Sequence, residues 1–389
     1  MVWRVAFAVL VSSSALMILA AWVTGSASNP VLSAALLAAA PAVMIAGGRF
    51  SEFRIGPVDV LFGLFVTASL ISTAINGLPP AREAGLFALS LLAYPAGRLV
   101  PMGTSFRPFL IVTLFVVGIG TIAVGAALFG QWNDPHGRPI VFGFAHAATV
   151  FLTSLGFLMF AVVCLDEFRR PVLSAVAAVP ALVVFAASQV RFTFVAIAGS
   201  LWIAFLVSGP GRRRGTAAVL GLVIASVVIG LAVRPHTSGI FLKYVISAAG
   251  AAERPQNPVA GECGELDNSV AIRKTLLRQA VQALPSAGLF GHGLSSTAQG
   301  SCFKTDPHNS VLQAVLEFGW IGGALLVLLV AAALRRLWPV AVENPEAAFV
   351  LCCLSYVAMI DMAHGHLATD GLLFLFVGYA ARASIWVKS

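Results

Sequence analysis

Stretches of about 20 mostly apolar residues recur along this chain, from 5–24 near its start to 369–385 near its end. An α-helix needs about this length to cross the hydrocarbon core of a bilayer. Hydrophobic residues make up 59% of the sequence and charged residues only 10%, a balance that excludes an ordinary soluble globular domain. The sequence therefore predicts an all-α, polytopic membrane protein.

Hydropathy places about twelve membrane spans and puts both termini in the cytoplasm. The first apolar run resembles a signal peptide, but it lacks a small-residue cleavage site, and we interpret it as a retained helix. The predicted spans cover residues 5–24, 31–47, 57–75, 84–100, 108–130, 140–165, 171–189, 191–208, 216–233, 309–334, 346–364 and 369–385.

The distribution of basic residues agrees with this orientation. The net charge is +8, which in a soluble protein would suggest nucleic acid as a partner. Here more than half of the 24 Lys and Arg residues fall on the predicted cytoplasmic side, including the cluster Arg212–Arg214. Because the positive-inside rule accounts for the charge, we expect membrane lipid but no nucleic acid among the partners.

The longest connection lies on the predicted outer side. It divides the chain into spans one to nine in 1–233, an outer loop in 234–308 and spans ten to twelve in 309–389. Connections of this length inside a compact protein are usually functional. Cys263 and Cys302 both lie in the loop, and an oxidising compartment favours a disulfide between them over two thiols. Such a bridge would contribute roughly 3–4 kcal/mol to stability.

The outer loop contains a predicted amphipathic helix that begins at Asn268 or Ser269 and ends near Leu284. Arg273 lies in the middle of its apolar face, whereas Lys274 and Arg278 lie on the opposite, solvated face. A guanidinium directed at packed surface needs a partner. Two partners remain open: an internal carboxylate such as Glu317, or an anionic substrate, which we favour. The predicted apolar residues are Val270, Leu276, Leu277, Ala280, Ala283 and Leu284.

Other polar groups lie at the predicted outer ends of spans. Arg191 lies in a tight turn at 188–191. Two interpretations remain open: a functional group at membrane depth, or an Arg at a helix end whose side chain extends to the membrane–water interface. Arg138 lies at the mouth of the sixth span. Asp361, His364 and His366 lie near the outer end of the eleventh span, and we interpret them as a polar helix end.

Three motifs in the outer loop and the following span combine into a recognisable pattern. The segment 289–293 is a Gly-X-Gly turn, 307–310 reads Pro-His-Asn-Ser, and Gln313, Glu317, Gly319 and Gly322 follow. Together with Arg191 and Arg273, this pattern resembles the signature of the O-antigen ligase and polymerase superfamily. The resemblance covers about 188–323, although Gln189-Val190 before Arg191 departs from the usual Ser-Arg. The chain length and single outer loop are similar to those of WaaL-type O-antigen ligases.

The resemblance implies a GT-C-like fold in the bacterial inner membrane, with the active site facing the periplasm. It implies an inverting, metal-independent glycosyltransferase that needs no cofactor. The donor would be a glycan linked to undecaprenyl pyrophosphate, and the acceptor a hydroxyl of lipid A–core oligosaccharide, as in lipopolysaccharide biosynthesis.

Each site residue has an expected role in that reaction. His308 is the expected general base, against the alternative that it only caps a helix at the interface. Asn309 is expected to cap the tenth span, and Glu317 to support the site. The pyrophosphate is expected to be held by Arg191 and Arg273, with help from Arg138 and Lys304.

Two other functions remain as alternatives. A Wzy-type O-antigen polymerase uses the same donor with a second lipid-linked glycan as acceptor. A transporter or lipid flippase is a different class, which predicts charges near the bilayer midplane and broken helices in repeated halves. The sequence disfavours the transporter, because its unusual charges gather at one face and no repeat is evident.

Overall fold

The computed structural model of this 389-residue chain describes residues 2–25, 30–48, 50, 53–132, 139–168, 171–234, 269–301 and 305–386. Within these ranges the regular structure is helical, apart from a single bridge between Val141 and Phe144. The prediction of an all-α chain is thus confirmed for the part of the chain described. The helices are α1 (Val2–Val11), α2 (Ser13–Thr24), α3 (Pro30–Ala46), α4 (Pro57–Asn76), α5 (Ala81–Arg98), α6 (Arg107–Gly130), α7 (Ala147–Cys164), α8 (Pro171–Ala187), α9 (Phe192–Val207), α10 (Pro210–Val233), α11 (Ser269–Ala283), α12 (Ser296–Gly300), α13 (Ser310–Ala341), α14 (Pro345–His364) and α15 (Gly371–Trp386).

Six of the described helices are long and apolar enough to cross a membrane: α4, α6, α7, α10, α13 and α14. The pair α1 and α2 would add a seventh if the two helices form one span. Apolar helices of 10–17 residues also lie in α3, α8, α9 and α15. Each predicted span overlaps a helix, so the chain is a multi-pass membrane protein, but the count of twelve spans remains a prediction.

The expectation of one continuous first helix is wrong. The helix is interrupted at Ser12, and the axes of α1 and α2 form a bend of 79°. The break falls in the run Ser12-Ser13-Ser14. Ser12 and Ser13 are both buried, so the bend lies among packed side chains.

The chain divides into two compact units, and the first comprises Met1–Ala40 and Gly103–Asn257. Its helices approach closely where small residues meet: a Cβ at Gly230 in α10 would overlap the Cβ of Ala186 in α8. Arg4 in α1 is buried, donates from Nη2 to the carbonyl oxygen of Thr104 at 2.9 Å, and lies 3.5 Å from the ring centre of Phe106.

The second unit comprises Pro41–Met102 and Pro258–Ser389. Within it, α5 and α15 pack with their backbones almost touching. A Cβ at Gly97 would overlap the carbonyl oxygen of Leu375, and one at Gly378 would overlap that of Tyr94. Near this crossing, Arg98 Nε pairs with Asp59 Oδ1 at 2.9 Å, and both side chains are almost fully buried. This unit contains the motifs of the outer loop and the predicted tenth span.

The close approach of α5 and α15 predicts the effect of one methyl group. We expect Gly97→Ala to destabilise the protein by about 1–3 kcal/mol, because the added methyl must displace backbone. Gly85→Ala on the same helix is the control, since Gly85 is exposed and a Cβ there meets nothing within 4 Å. Thermal unfolding in detergent measures both. Equal midpoints for the two variants would contradict the close packing.

Candidate active site

The site is organised around a break in α13. Gly319 leaves the helical conformation with φ 74° and ψ −178°, so carbonyl groups in the preceding turn lose their helical partners. The Gly-X-Gly loop supplies the missing donors: the N–H of His292 donates to the carbonyl of Leu316 and that of Gly293 to Glu317, both at 2.9 Å. In return, Trp320 donates to the carbonyl of Gly288 at 3.0 Å. The loop is therefore joined to α13 through its backbone.

Glycine is required at both sides of this junction. Gly291 has φ +70° and Gly319 φ +74°, a region that side chains with a Cβ rarely adopt. A Cβ at Gly291 would overlap the carbonyl of Glu317, and one at Gly319 would overlap the carbonyl of Leu289. Gly291 and Gly319 are therefore both needed for the backbone contact between the Gly-X-Gly loop and α13.

Glu317 lies directly before the break and is fully buried. Its Oε1 accepts hydrogen bonds from the backbone N–H of Ser295 at 3.0 Å, from Thr297 Oγ1 at 2.7 Å and from Gln313 Nε2 at 3.1 Å. These contacts join the loop around α12 to α13. They support the expected structural role of this carboxylate.

The turn Asp306–Asn309 leads into α13. Asn309 caps the helix, as predicted: its Oδ1 accepts from the N–H of Leu312 at 3.0 Å, and its Nδ2 donates to the carbonyl of Met362 at 3.1 Å. His308 has φ +54°, in the left-handed region that is uncommon outside glycine. It is half-buried at the mouth of a candidate span, where the sequence placed it.

Asp306 is a member of the site that the sequence interpretation treated only as a turn former. It is 4% exposed, accepts from Thr297 Oγ1 at 2.6 Å, and pairs through Oδ2 with His366 Nε2 at 2.7 Å. A threonine hydroxyl carries one proton, so Thr297 donates to either Asp306 or Glu317 at a given moment. His366 was expected to belong to a polar helix end, and that interpretation missed its ion pair.

The surroundings of His308 and His366 shift their pKa values in opposite directions. Burial lowers the pKa of His308, the charge of Arg273 lowers it further, and Asp306 opposes them without reversing the shift. Burial would also lower the pKa of His366, but the hydrogen bond and charge of Asp306 raise it above the usual value. Burial raises the pKa of Asp306, and the hydrogen bonds from His366 and Thr297 outweigh that effect and lower it. The surroundings therefore favour the uncharged imidazole at His308 and the charged imidazolium at His366.

Helix α11 brings Arg273 into the field of His308, so two of the predicted site residues lie near each other. The helix packs through Leu276 and Ala280, which are buried, and Ala280 belongs to one cluster with Leu316 of α13. Lys274 and Arg278 are exposed, as predicted. Leu277, predicted on the apolar face, is 44% exposed, because it lies about 100° around the helix from Leu276 and falls beyond the packed part of that face.

A cavity of about 210 Å³ lies beside the turn that carries His308. One part of its wall is apolar, with Leu276, Ala280, Ala283 and Leu316. The other part carries polar groups, and Pro307, the neighbour of His308, also lines the cavity. The lining residues of the described chain include no Arg, Lys, Asp or Glu; the polar ones are Gln279, His292, Ser296, Thr297, Ser301 and Thr305. The same part of the chain holds no group of three or more His, Cys, Asp and Glu side chains placed to bind a metal ion.

Arg191 belongs to the first unit and lies in the tight turn that the sequence predicted. Gln189 takes φ +65°, which allows the chain to reverse without glycine, and Arg191 directly precedes α9. Its Nη2 donates to Gln189 Oε1 at 3.2 Å. Arg138, Lys304, Cys263 and Cys302 lie outside the described residues, so their expected roles remain predictions.

Residues 176–327 match the family model described as O-antigen ligase, a segment that contains Arg191, Arg273 and His308. A probable peptidoglycan glycosyltransferase FtsW of Thiomicrospira cyclica is 31% identical over 120 residues. That alignment covers 28% of this chain and 31% of the relative, so the chain matches about a third of that protein's length. No solved structure matches the chain.

The junction at the break of α13 predicts a difference between two glycines of one loop. Gly288 and Gly291 both have positive φ, so alanine at either costs about 1–2 kcal/mol in backbone strain. Only at Gly291 does the new Cβ meet backbone, since nothing lies within 4 Å of a Cβ at Gly288. We expect Gly291→Ala to lower the midpoint of thermal unfolding clearly more than Gly288→Ala. The reverse order would show that the loop does not depend on this contact.

Proposed function

We propose that this protein is an O-antigen ligase, because residues 176–327 match the family model of that description. In this proposal it transfers a glycan from undecaprenyl pyrophosphate to a hydroxyl of lipid A–core oligosaccharide, at the periplasmic face of the bacterial inner membrane. The observation that carries the proposal is the position of His308, in a left-handed turn directly before the candidate span α13 and within the electrostatic influence of Arg273. The similarity to a probable peptidoglycan glycosyltransferase agrees with the transfer of a glycan.

His308 supplies the base for the attacking hydroxyl. The acceptor oxygen forms a bond to the anomeric carbon of the donor sugar, while the bond between that carbon and the phosphate oxygen breaks. The proton of the hydroxyl passes to the imidazole, and the electron pair leaves with undecaprenyl pyrophosphate. Attack opposite the leaving group inverts the anomeric centre. Burial and the charge of Arg273 favour the unprotonated imidazole, which is the form that this step requires.

Arg273 supplies charge to the leaving group. A departing pyrophosphate is stable as an anion, so it needs fixed cations more than an added proton, and a guanidinium makes paired hydrogen bonds to phosphate oxygens. The placement of Arg273 near His308 supports this role within the second unit. For Arg191, Arg138 and Lys304, the support comes from the sequence pattern, and we assign them to the same anion as a proposal.

The cavity supports a division of the substrate between two environments. The anionic pyrophosphate belongs with Arg273, whereas a sugar ring, with apolar faces and hydroxyl edges, fits a wall of mixed apolar and polar groups. A transporter would not need a base and a cation together at one helix mouth. A Wzy-type polymerase would use the same chemistry, and it is the outcome that the next experiment separates.

The first prediction concerns His308→Asn. Asparagine tolerates the left-handed conformation of this position, so the turn should survive, but it cannot act as the base. In a ligase-deficient bacterium, wild-type protein should restore high-molecular-weight lipopolysaccharide, and the variant at equal protein level should not. If His308→Asn restored high-molecular-weight lipopolysaccharide fully, His308 would be only a capping residue and not the base. If wild-type protein instead complements only a polymerase-deficient strain, the polymerase function replaces the ligase.

The second prediction compares two arginines of α11. Arg273→Lys keeps the charge but loses the planar fork, and we expect the transfer rate to fall roughly 10-fold or more, as for the loss of a charged hydrogen bond. Arg278→Lys is the matched control, because Arg278 is exposed on the same helix. Transfer by purified protein in lipid nanodiscs measures both. Equal rates for the two variants would remove Arg273 from the anion site.

A further inference from the structure

His366 lies between α14 and the short 3₁₀ turn Leu367–Thr369, and the proposed transfer step does not use it. Its Nε2 lies 2.7 Å from Asp306 Oδ2, and the Asp306 side chain is almost fully buried. This contact joins two segments that are 60 residues apart in the sequence. A buried carboxylate in a membrane protein needs such a partner.

The ion pair is part of a row of contacts that hold the His308 turn against the end of α14. Asn309 Nδ2 donates to the carbonyl of Met362, Ser310 Oγ to Asp370 Oδ2 at 2.6 Å, and the N–H of Leu367 to Gln313 Oε1 at 2.8 Å. Asp306 and Asn309 therefore anchor the two ends of the turn, and His308 lies between them. A left-handed residue persists only where the surrounding contacts impose it.

We propose that His366 is a positioning residue for His308: its ion pair with Asp306 holds the turn, and its charge stands beside the base. This inference rests on the proposed function, because it deepens the role of the same site. His366 does not touch the reacting atoms in this scheme. It acts through Asp306 and through its electric field.

The charged groups around His366 come from several elements. Carboxylates of Asp306, Glu83 and Glu317 favour its protonated form. His308 interacts electrostatically with His366 and Arg273, which lower its pKa, and with Asp306, which raises it. Loss of the imidazolium should therefore raise the pKa of His308, so that the base becomes protonated at a higher pH than in the wild type.

The test uses His366→Gln, which can still donate a hydrogen bond to Asp306 but carries no charge. We expect the acid limb of the pH profile of kcat/KM for transfer to move to higher pH, so that the ratio of wild-type to variant rates grows as the pH falls. His364→Gln, two residues earlier, is the control and should leave the limb in place. A variant that loses the same fraction of activity at every pH, or that matches the wild type throughout, would overturn the proposal.

A second measurement does not depend on transfer. The pKa of His366 is raised, so its pairing stabilises the fold at low pH and is lost as the pH rises through that raised pKa. The pKa of Asp306 is lowered, so its contribution is lost only as the pH falls through that lowered pKa. Between these limits the wild type should unfold at a higher temperature than His366→Gln, and the difference should shrink on the alkaline side. A difference that is constant with pH would overturn the ion pair.

The two readouts separate this inference from the proposed function. If wild-type protein transfers no glycan, the proposed function fails, while the pH dependence of unfolding still decides the ion pair. If His366→Gln does not fold, His366→Lys keeps a cation against Asp306 and should retain the wild-type acid limb. A shifted limb in His366→Lys would overturn the role of the charge.

Discussion

The site depends on a helix that breaks where its carbonyl groups are already buried. A backbone carbonyl without a partner is costly in a protein interior and more so within a membrane. In α13 the cost is avoided because the Gly-X-Gly loop donates its N–H groups to Leu316 and Glu317. That exchange requires two backbones to meet without a Cβ between them. The positive φ angles of Gly291 and Gly319 follow from this requirement. So does the position of α11 and α12, which precede and follow the Gly-X-Gly loop.

Once this junction exists, the chemistry of the site follows from burial and pairing. Helix α11 packs on the first turns of α13, and Arg273 comes into the field of His308. Thr297 and His366 satisfy Asp306, so the carboxylate next to the turn is already engaged. The pKa values of the two histidines are thereby shifted in opposite directions, downwards for His308 and upwards for His366. The cavity beside them has walls of mixed apolar and polar groups.

Local patterns predicted much of the site. The cap at Asn309, the helix from Ser269, the solvated Lys274 and Arg278 and the glycine-free turn before Arg191 all follow from properties of neighbouring residues, and the structure agrees with each. The features that these patterns missed have a common cause. The break at Ser12 and the partner of His366 depend on which surfaces meet, and hydropathy averages over a window do not contain that information.

The sequence by itself determined that this chain is a multi-pass helical membrane protein, because no other fold can bury so many apolar runs of that length. The His-Asn pair and the motif glycines also carried the resemblance to the O-antigen ligase and polymerase superfamily, and the match of residues 176–327 to the O-antigen ligase family model agrees with it. Only the tertiary structure decided that Asp306 and His366 form an ion pair and that Glu317 joins the segment around α12 to α13. Hydrogen bonds between residues some 20 to 60 positions apart follow from packing, whereas caps and turns follow from the nearest neighbours in the chain.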